Sequence, residues 1–346
     1  MVCTMSTRST SDVWRNWART ESATPARVAR PRDLDELVAT VRDSHGLHVR
    51  AVGAGHSFTG AAVTDGVQVH LDALSGIERV TPRPDGTAHV TVGAGTRLAD
   101  LNVALAERGL AMRNLGDIDR QTVAGAISTG THGTGARLGG LASQVVGVRI
   151  VTAQGDVVEA SPDERPDLFE VARLGLGSVG LLAAVTIDVV PAFRLRAVEE
   201  PWSLDAVLES LTGTGGLVEA NDHFEFYWFP HTRRALTKRN NRVPADDIEP
   251  LGAVRAWIDD ELLSNALFAA TNHLTAALPR LTPRVNSFAA RALSVRTYTA
   301  PSYEVFASPR RVRFREMEYA IPRDAVGPAL AEIERWLAST GVLIPF

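Results

Sequence analysis

Three groups of residues in this chain have types and spacings suited to chemistry. The first is Val52-Gly53-Ala54-Gly55-His56-Ser57, in which an imidazole follows two glycines. Glycines so spaced let backbone N–H groups approach a ligand with no Cβ in the way. Successive amides in such a turn form a concavity suited to a diphosphate, and His56 then sits where a bound dinucleotide would pass. The second group runs from Asn114 to Gly135, where small and hydroxyl residues alternate with glycines and Thr131-His132-Gly133 stands near the end. It supplies many donors in a narrow space, as a ligand with phosphates, a polyol chain and a ring edge requires. The third is Glu316 and Glu318. Period two places them on the face that Val312 and Phe314 begin, suited to acid, base or hydroxyl-binding roles. Each group has a plainer alternative: a tight turn between strands, a glycine-rich structural crossing, and a bulge that turns both glutamates into solvent.

The elements that must position these groups can be read in chain order. Trp14 and Trp17 pack an N-terminal arm onto the body. Asp33 opens a helix with Leu34, Leu37, Val38 and Val41 on one face and Gly46 as its stop. That helix feeds a strand of Val49, Ala51 and Val52 into the first glycine turn. A Rossmann site would need a third glycine where Phe58 stands, and a helix directly after the turn. Instead, Val67, Val69 and Leu71 alternate with Gln68 and His70 as a strand does. The theme repeats as strand His89–Val92, turn Gly93-Ala94-Gly95, Thr96 as N-cap, and a helix carrying Leu98, Leu101 and Leu105 that stops at Gly109.

A short helix starts at Thr122. The strands 145–152 and 157–160 form a hairpin, followed by a helix over 165–174, a glycine crossing over 175–180, and a strand over 181–190. Pro191 marks the boundary of the first lobe. Beyond it come a helix over 203–211 and a strand over 222–230 with Phe224, Phe226 and Trp228 as a sheet wall. Arg233, Arg234, Lys238, Arg239 and Arg242 read as a solvated loop. A mostly helical stretch follows over 251–278, then a strand over 311–321 and a helix over 324–340. The apolar 341–346 reads as the opening of a buried strand, so the chain is expected to be a shortened version of a longer domain.

The bulk numbers bound the class. At about 150 residues per domain, 346 residues suggest two domains or one two-lobed unit. Hydrophobic residues at 45% and charged residues at 22% are ordinary for a soluble globular protein. A net charge of −4 creates no field favouring nucleic acid or an anionic membrane. The lone cysteine, Cys3, excludes a disulfide framework or a cysteine-based metal site and points to a reducing, cytoplasmic setting. The longest apolar run, Val179 to Val190, is interrupted by Gly180, Thr186 and Asp188 and is too short to span a bilayer.

Taken together, the 52–59 segment, Asn114-Leu115-Gly116-Asp117, the 122–135 segment, 221–226 and the 316–323 stretch resemble the aldonolactone oxidoreductases. These are FAD enzymes of the vanillyl-alcohol-oxidase, or PCMH, fold, and the nearest look is the D-arabinono-1,4-lactone or L-gulonolactone oxidase type. The resemblance runs from about Trp14 to the last residue. It implies an α+β fold: a two-subdomain FAD-binding lobe over 14–191 and a smaller α+β substrate lobe over 192–346, cut short at its end. It implies FAD contacts from Val52, Gly53, Ala54, Gly55, His56, Ser57, Gly116, Asp117, Thr122, Gly125, Ser128, Thr131, His132, Gly133, Gly180 and Ile187, with a covalent bond through His56. It implies hydride transfer from a sugar lactone or polyol to the flavin, with Glu316, Glu318 and Asp117 as substrate-side catalytic residues. Gly116 matches a position associated with oxygen access, which favours molecular oxygen as acceptor; the alternative is a dehydrogenase using another acceptor, or an inert flavin-binding paralogue. The family pattern continues beyond Phe346 into further substrate-binding residues. Family members can associate peripherally with membranes, and nothing in this sequence supplies an anchor.

Overall fold

A computed structural model of the chain describes residues 13–252, 265, 267–308 and 310–345. Cys3 and the 253–264 part of the expected helical stretch lie outside the described residues, as does Phe346. The chain opens with an antiparallel pair, β1 (Trp14–Arg15) and β2 (Ser22–Ala23). Strand β3 (Arg27–Ala29), helix α1 (Leu34–Arg42), β4 (Val49–Val52) and β5 (Val67–His70) follow, the strands forming a parallel sheet of order β3-β5-β4. The Asp33 carboxylate accepts the Glu36 amide at 2.8 Å, which fixes the start of α1. Leu37 and Val41 bury its apolar face.

A larger sheet carries the rest of the first half. Its elements are β6 (Ile77–Pro82), β7 (Ala88–Gly93), α2 (Leu98–Ala106), β8 (Leu110–Met112), α3 (Val123–Ser128), β9 (Val145–Val151), β10 (Val157–Ala160), α4 (Pro166–Leu174) and β11 (Leu181–Pro191). The order is β10-β9-β11-β7-β6, with β8 also on β11. Strand β11 pairs with β7, β8 and β9 and is buried on both faces, which is why its sequence is nearly continuously apolar. The α3 start matches the sequence: the Thr122 hydroxyl accepts the Gly125 amide at 3.2 Å.

The second half is built on a four-stranded antiparallel sheet. Strand β12 (Arg194–Ser203), helix α5 (Leu204–Glu209), β13 (His223–Trp228), β14 (Arg234–Val243) and β15 (Arg296–Pro301) take the order β13-β14-β12-β15. Phe224 and Phe226 pack with Trp202 over Val207, Leu217 and Ala235, as the alternation of β13 predicts. Helices follow at Phe268–Ala277, Thr282–Ala292, Ser302–Phe306 and Val326–Thr340. Among the described residues, no helix is long and apolar enough to cross a membrane.

Four expectations from the sequence are corrected. Thr96 is not the cap of α2: its hydroxyl donates to the Gly93 carbonyl at 2.6 Å and accepts the Gly76 amide at 2.9 Å, bracing the turn instead. The basic run is not a loop, because Arg234 to Arg242 lie in β14. Arg239 pairs with Glu200, Lys238 lies 3.5 Å from Glu225, and the Arg242 guanidinium sits 3.8 Å over the Phe193 ring. The 311–321 stretch forms no strand: among the described residues, neither edge strand of the sheet, β13 or β15, takes it as a neighbour. Residues 341–345 likewise form no strand.

Candidate functional site

Strand β4 delivers Val52 to a turn whose two glycines are needed for different reasons. Gly55 has φ of +69°, a conformation that L side chains rarely adopt. Gly53 is crowded: a Cβ there would lie 2.4 Å from the Thr122 hydroxyl oxygen. That near-contact joins the first glycine turn to the cap of α3. The two segments wall one groove, whose empty volume out to its open mouth is about 1020 Å³. Val52 to Ser57 line one side of it, Thr122, Gly125 and Ser128 another, and Gly180 borders it from the β11 end.

The free donors lie on the first turn. Among the described residues, the amides of Ala54, Gly55, His56 and Ser57 have no protein acceptor. The first amides of α3 are occupied: Val123 donates to the Thr96 carbonyl at 2.8 Å and Ala124 to the Ala94 carbonyl at 3.2 Å. The second glycine turn is also spent internally, with Ala94 donating to Ala183 and Gly95 to Leu74, each at 2.9 Å. Anionic phosphate oxygens therefore fit against Ala54–Ser57 and not against α3.

His56 stands apart from the other histidines of the site. Neither ring nitrogen has a hydrogen-bond partner among the described residues, and the ring stacks on Trp17 with centroids 5.0 Å apart and planes at 23°. Burial, helped by Arg97 and Arg120, pushes its pKa down, so it stays neutral with a lone pair available. His132 is the opposite case. Its Nδ1 lies 2.8 Å from the Gly133 carbonyl and its Nε2 2.5 Å from Glu318.

The remaining candidates form a second wall. Asn114, 1% exposed, donates to the Thr134 carbonyl and accepts the Leu115 amide, each at 3.0 Å, so the segments around Gly116 and His132 are stitched together. A Cβ on Gly116 would sit 3.1 Å from both the His132 carbonyl and Thr131 Cγ2, and one on Gly133 2.1 Å from the Leu115 carbonyl. Thr131 is tied to the groove through Gln121, whose Nε2 donates to its hydroxyl at 2.9 Å. Ile187 departs from expectation: it packs into the core of β11 at 1% exposed and does not line the groove.

The 310–318 stretch crosses this region, and three of its contacts bear on the site. Arg310 donates to Asp117 Oδ2 at 2.6 Å, Phe314 meets Trp17 edge-on at 5.3 Å, and Glu318 reaches His132. Asp117 is thus held in an ion pair. Glu316 has its pKa pushed up, by burial first and then by Asp117 and Glu318, against the opposing effect of Arg310. On β13, Tyr227 faces the same charges; burial, with Glu225 alongside, pushes its phenol up. Sequence patterning missed Trp17 as a neighbour of His56, and it missed Tyr227, Glu225 and Lys238, because each is brought in by contacts between distant segments.

The His132–Glu318 pair makes a prediction. The Gly133 carbonyl first, and then Glu318, raise the His132 pKa. A raised folded-state pKa stabilises below the unfolded value, and that contribution is lost as pH rises through the folded value. Both side chains are largely solvated, so its size should be about 0.5 kcal/mol or less. Replacing Glu318 by Gln should lower the His132 pKa toward its ordinary value in an NMR titration; an unchanged value would show that the pair does not form.

A family profile described as FAD binding domain matches residues 25–161, and one described as D-arabinono-1,4-lactone oxidase matches 185–346. An L-gulono-1,4-lactone dehydrogenase of Mycobacterium tuberculosis is 37% identical over 93% of this chain and 73% of its own length. An L-gulonolactone oxidase of Bos taurus is 30% identical over 94% of this chain and 72% of its own length. The crystal structure of cholesterol oxidase from B. sterolicum superposes with a TM-score of 0.75 at 17% identity, covering 94% of this chain and 68% of that one, which shows a shared fold.

Proposed function

The chain belongs to the aldonolactone oxidoreductase family, and from that premise we propose that it oxidises a CH–OH carbon of a sugar-derived 1,4-lactone with FAD held in the groove. Arabinono-, gulono- and galactono-lactones are the substrate class. The observation that carries this reading is the meeting of two glycine-bearing segments, Gly53 against Thr122, in one groove with free amides on one wall. Residues 14–191 are assigned to FAD binding and 192–346 to the substrate side.

FAD bound there supplies the hydride acceptor. Ala54 to Ser57 hold its diphosphate by backbone N–H groups. Neutral His56 is the attachment point for the isoalloxazine. Glu316, a carboxyl whose pKa is pushed up from its ordinary value, is suited to take the substrate hydroxyl proton. Arg310 holds Asp117 as a fixed negative charge beside it, and Glu318 with His132 gives the proton a way out. Gly116 matches a position associated with oxygen access, and oxygen is the acceptor this reading favours. A dehydrogenase using another acceptor is the second reading, favoured by the name of the mycobacterial relative. A cytoplasmic setting goes with the single cysteine.

The test is to mix the purified flavoprotein with each lactone under nitrogen and then admit air. Bleaching of the visible flavin band by a lactone, with rapid recovery and peroxide formation in air, is the expected result. Recovery only with an added dye acceptor would favour the dehydrogenase. Bleaching by none of the lactones would overturn the proposal and leave an inert flavin-binding protein.

A further inference from the structure

The N-terminal hairpin of β1 and β2 has no part in the reading above, yet it makes specific contacts with the first glycine turn. Asn16 is 2% exposed. Its Oδ1 accepts the amides of Thr20 and Glu21 at 2.8 and 3.0 Å, which closes the hairpin, and its Nδ2 donates to the Ser57 carbonyl at 3.0 Å. The Trp17 amide donates to the Gly55 carbonyl at 2.7 Å. A Cβ at Gly55 would lie 3.3 Å from the Trp14 ring, so the hairpin also packs closely on the turn. Two hydrogen bonds therefore bracket His56, one on each chain neighbour.

The ring itself is held differently. No hydrogen bond restrains either nitrogen among the described residues, and the stack with Trp17 fixes the plane. Stacking covers a face of the imidazole, whereas the nitrogens lie on its edge. The indole thus orients the ring without consuming the atoms that would react. Phe314 continues the stack by packing against Trp17 at 70° and against Phe58 at 5.6 Å. The 310–318 stretch thereby rests on the same aromatic column as the imidazole.

We propose that Asn16 and Trp17 are the positioning residues of His56: the hairpin sets the turn and the indole sets the ring so that an edge nitrogen faces the flavin. This rests on the reading that His56 attaches to FAD, in which an imidazole nitrogen would bond to a ring-methyl carbon of the flavin as a proton leaves that carbon, the electron pair would pass to the flavin ring and oxygen would take it up; two measurements separate the claims. Flavin-free wild type, Trp17→Leu and Trp17→Phe are mixed with FAD, and both acid-stable flavin and FAD affinity are followed. Leucine keeps apolar bulk while removing the stack, and phenylalanine keeps an aromatic face; unchanged melting temperatures verify folding. Trp17→Leu should slow the appearance of acid-stable flavin about tenfold or more, as expected for a misplaced reacting group, and Trp17→Phe should restore most of the rate. A wild-type rate in Trp17→Leu overturns the proposal. If wild type binds FAD but never in acid-stable form, the attachment reading fails. The positioning claim is then decided by affinity: a loss of about tenfold in Trp17→Leu supports it, and an unchanged affinity overturns it.

Discussion

Replacing His56 by alanine is expected to remove all acid-stable flavin while leaving the protein folded. The ring is half-buried and makes no hydrogen bond among the described residues. Its loss removes one stacked pair, about 0.5–1.5 kcal/mol, and leaves no buried polar atom behind. The melting temperature should fall by only a few degrees. The consequence for turnover is larger, because an untethered ring is free to shift in the groove. With the best lactone, kcat/KM should drop about 10²-fold, the loss typical of a small misplacement at a reacting centre. His132→Ala is the control. Both nitrogens of His132 are already engaged, so that variant should keep its acid-stable flavin. Acid-stable flavin persisting in His56→Ala would exclude His56 as the attachment point.

The second large effect concerns the contact that joins the two glycine segments. Gly53→Ala would put a methyl 2.4 Å from the Thr122 hydroxyl oxygen. Either the β4 turn or the start of α3 must move, at an expected cost of about 1–3 kcal/mol. The same movement distorts both walls of the groove, so flavin retention should fall sharply. Thr122→Ala alone removes an N-cap and should cost about 1 kcal/mol. In the double variant the clashing oxygen is gone, and the next atom, Thr122 Cβ, lies at an ordinary 3.5 Å from the new methyl. The double variant should therefore be more stable than the sum of the single losses predicts, by about 1 kcal/mol or more, because the two residues share one contact. Denaturant unfolding of the four proteins measures this directly. Strictly additive losses would mean that the segments do not touch.

What the sequence revealed was whatever is encoded locally. The β4 turn, the Thr122 cap, the 145–160 hairpin and β11 each carry their signal within a few residues, as caps, glycines or period. Where two local readings competed, the wrong one was easy to choose. Thr96 stands where a cap would, but the neighbouring loop at Gly76 offers its hydroxyl a partner. The cations of β14 looked like a loop because their charges are neutralised by carboxylates on the neighbouring strands, which leaves no apolar alternation to see. The alternation over 311–321 was real in the sequence, yet among the described residues no strand pairs with it, and pairing is what makes a strand. Of the candidate site, the glycine turn, His56 and the Thr122 segment could be picked out in advance. Trp17 could not be assigned to His56, since nothing local links positions so far apart, and Ile187 was carried over from a resemblance although its side chain faces the core.

The central claim is that the Gly53–Ser57 turn and the Thr122–Ser128 segment grip one dinucleotide between them. A crystal structure of the protein grown with FAD tests it most directly. The expected result is diphosphate density against the amides of Ala54 to Ser57, with the isoalloxazine reaching the His56 edge beneath Trp17. Density for the dinucleotide elsewhere, with this groove filled only by water, would contradict it.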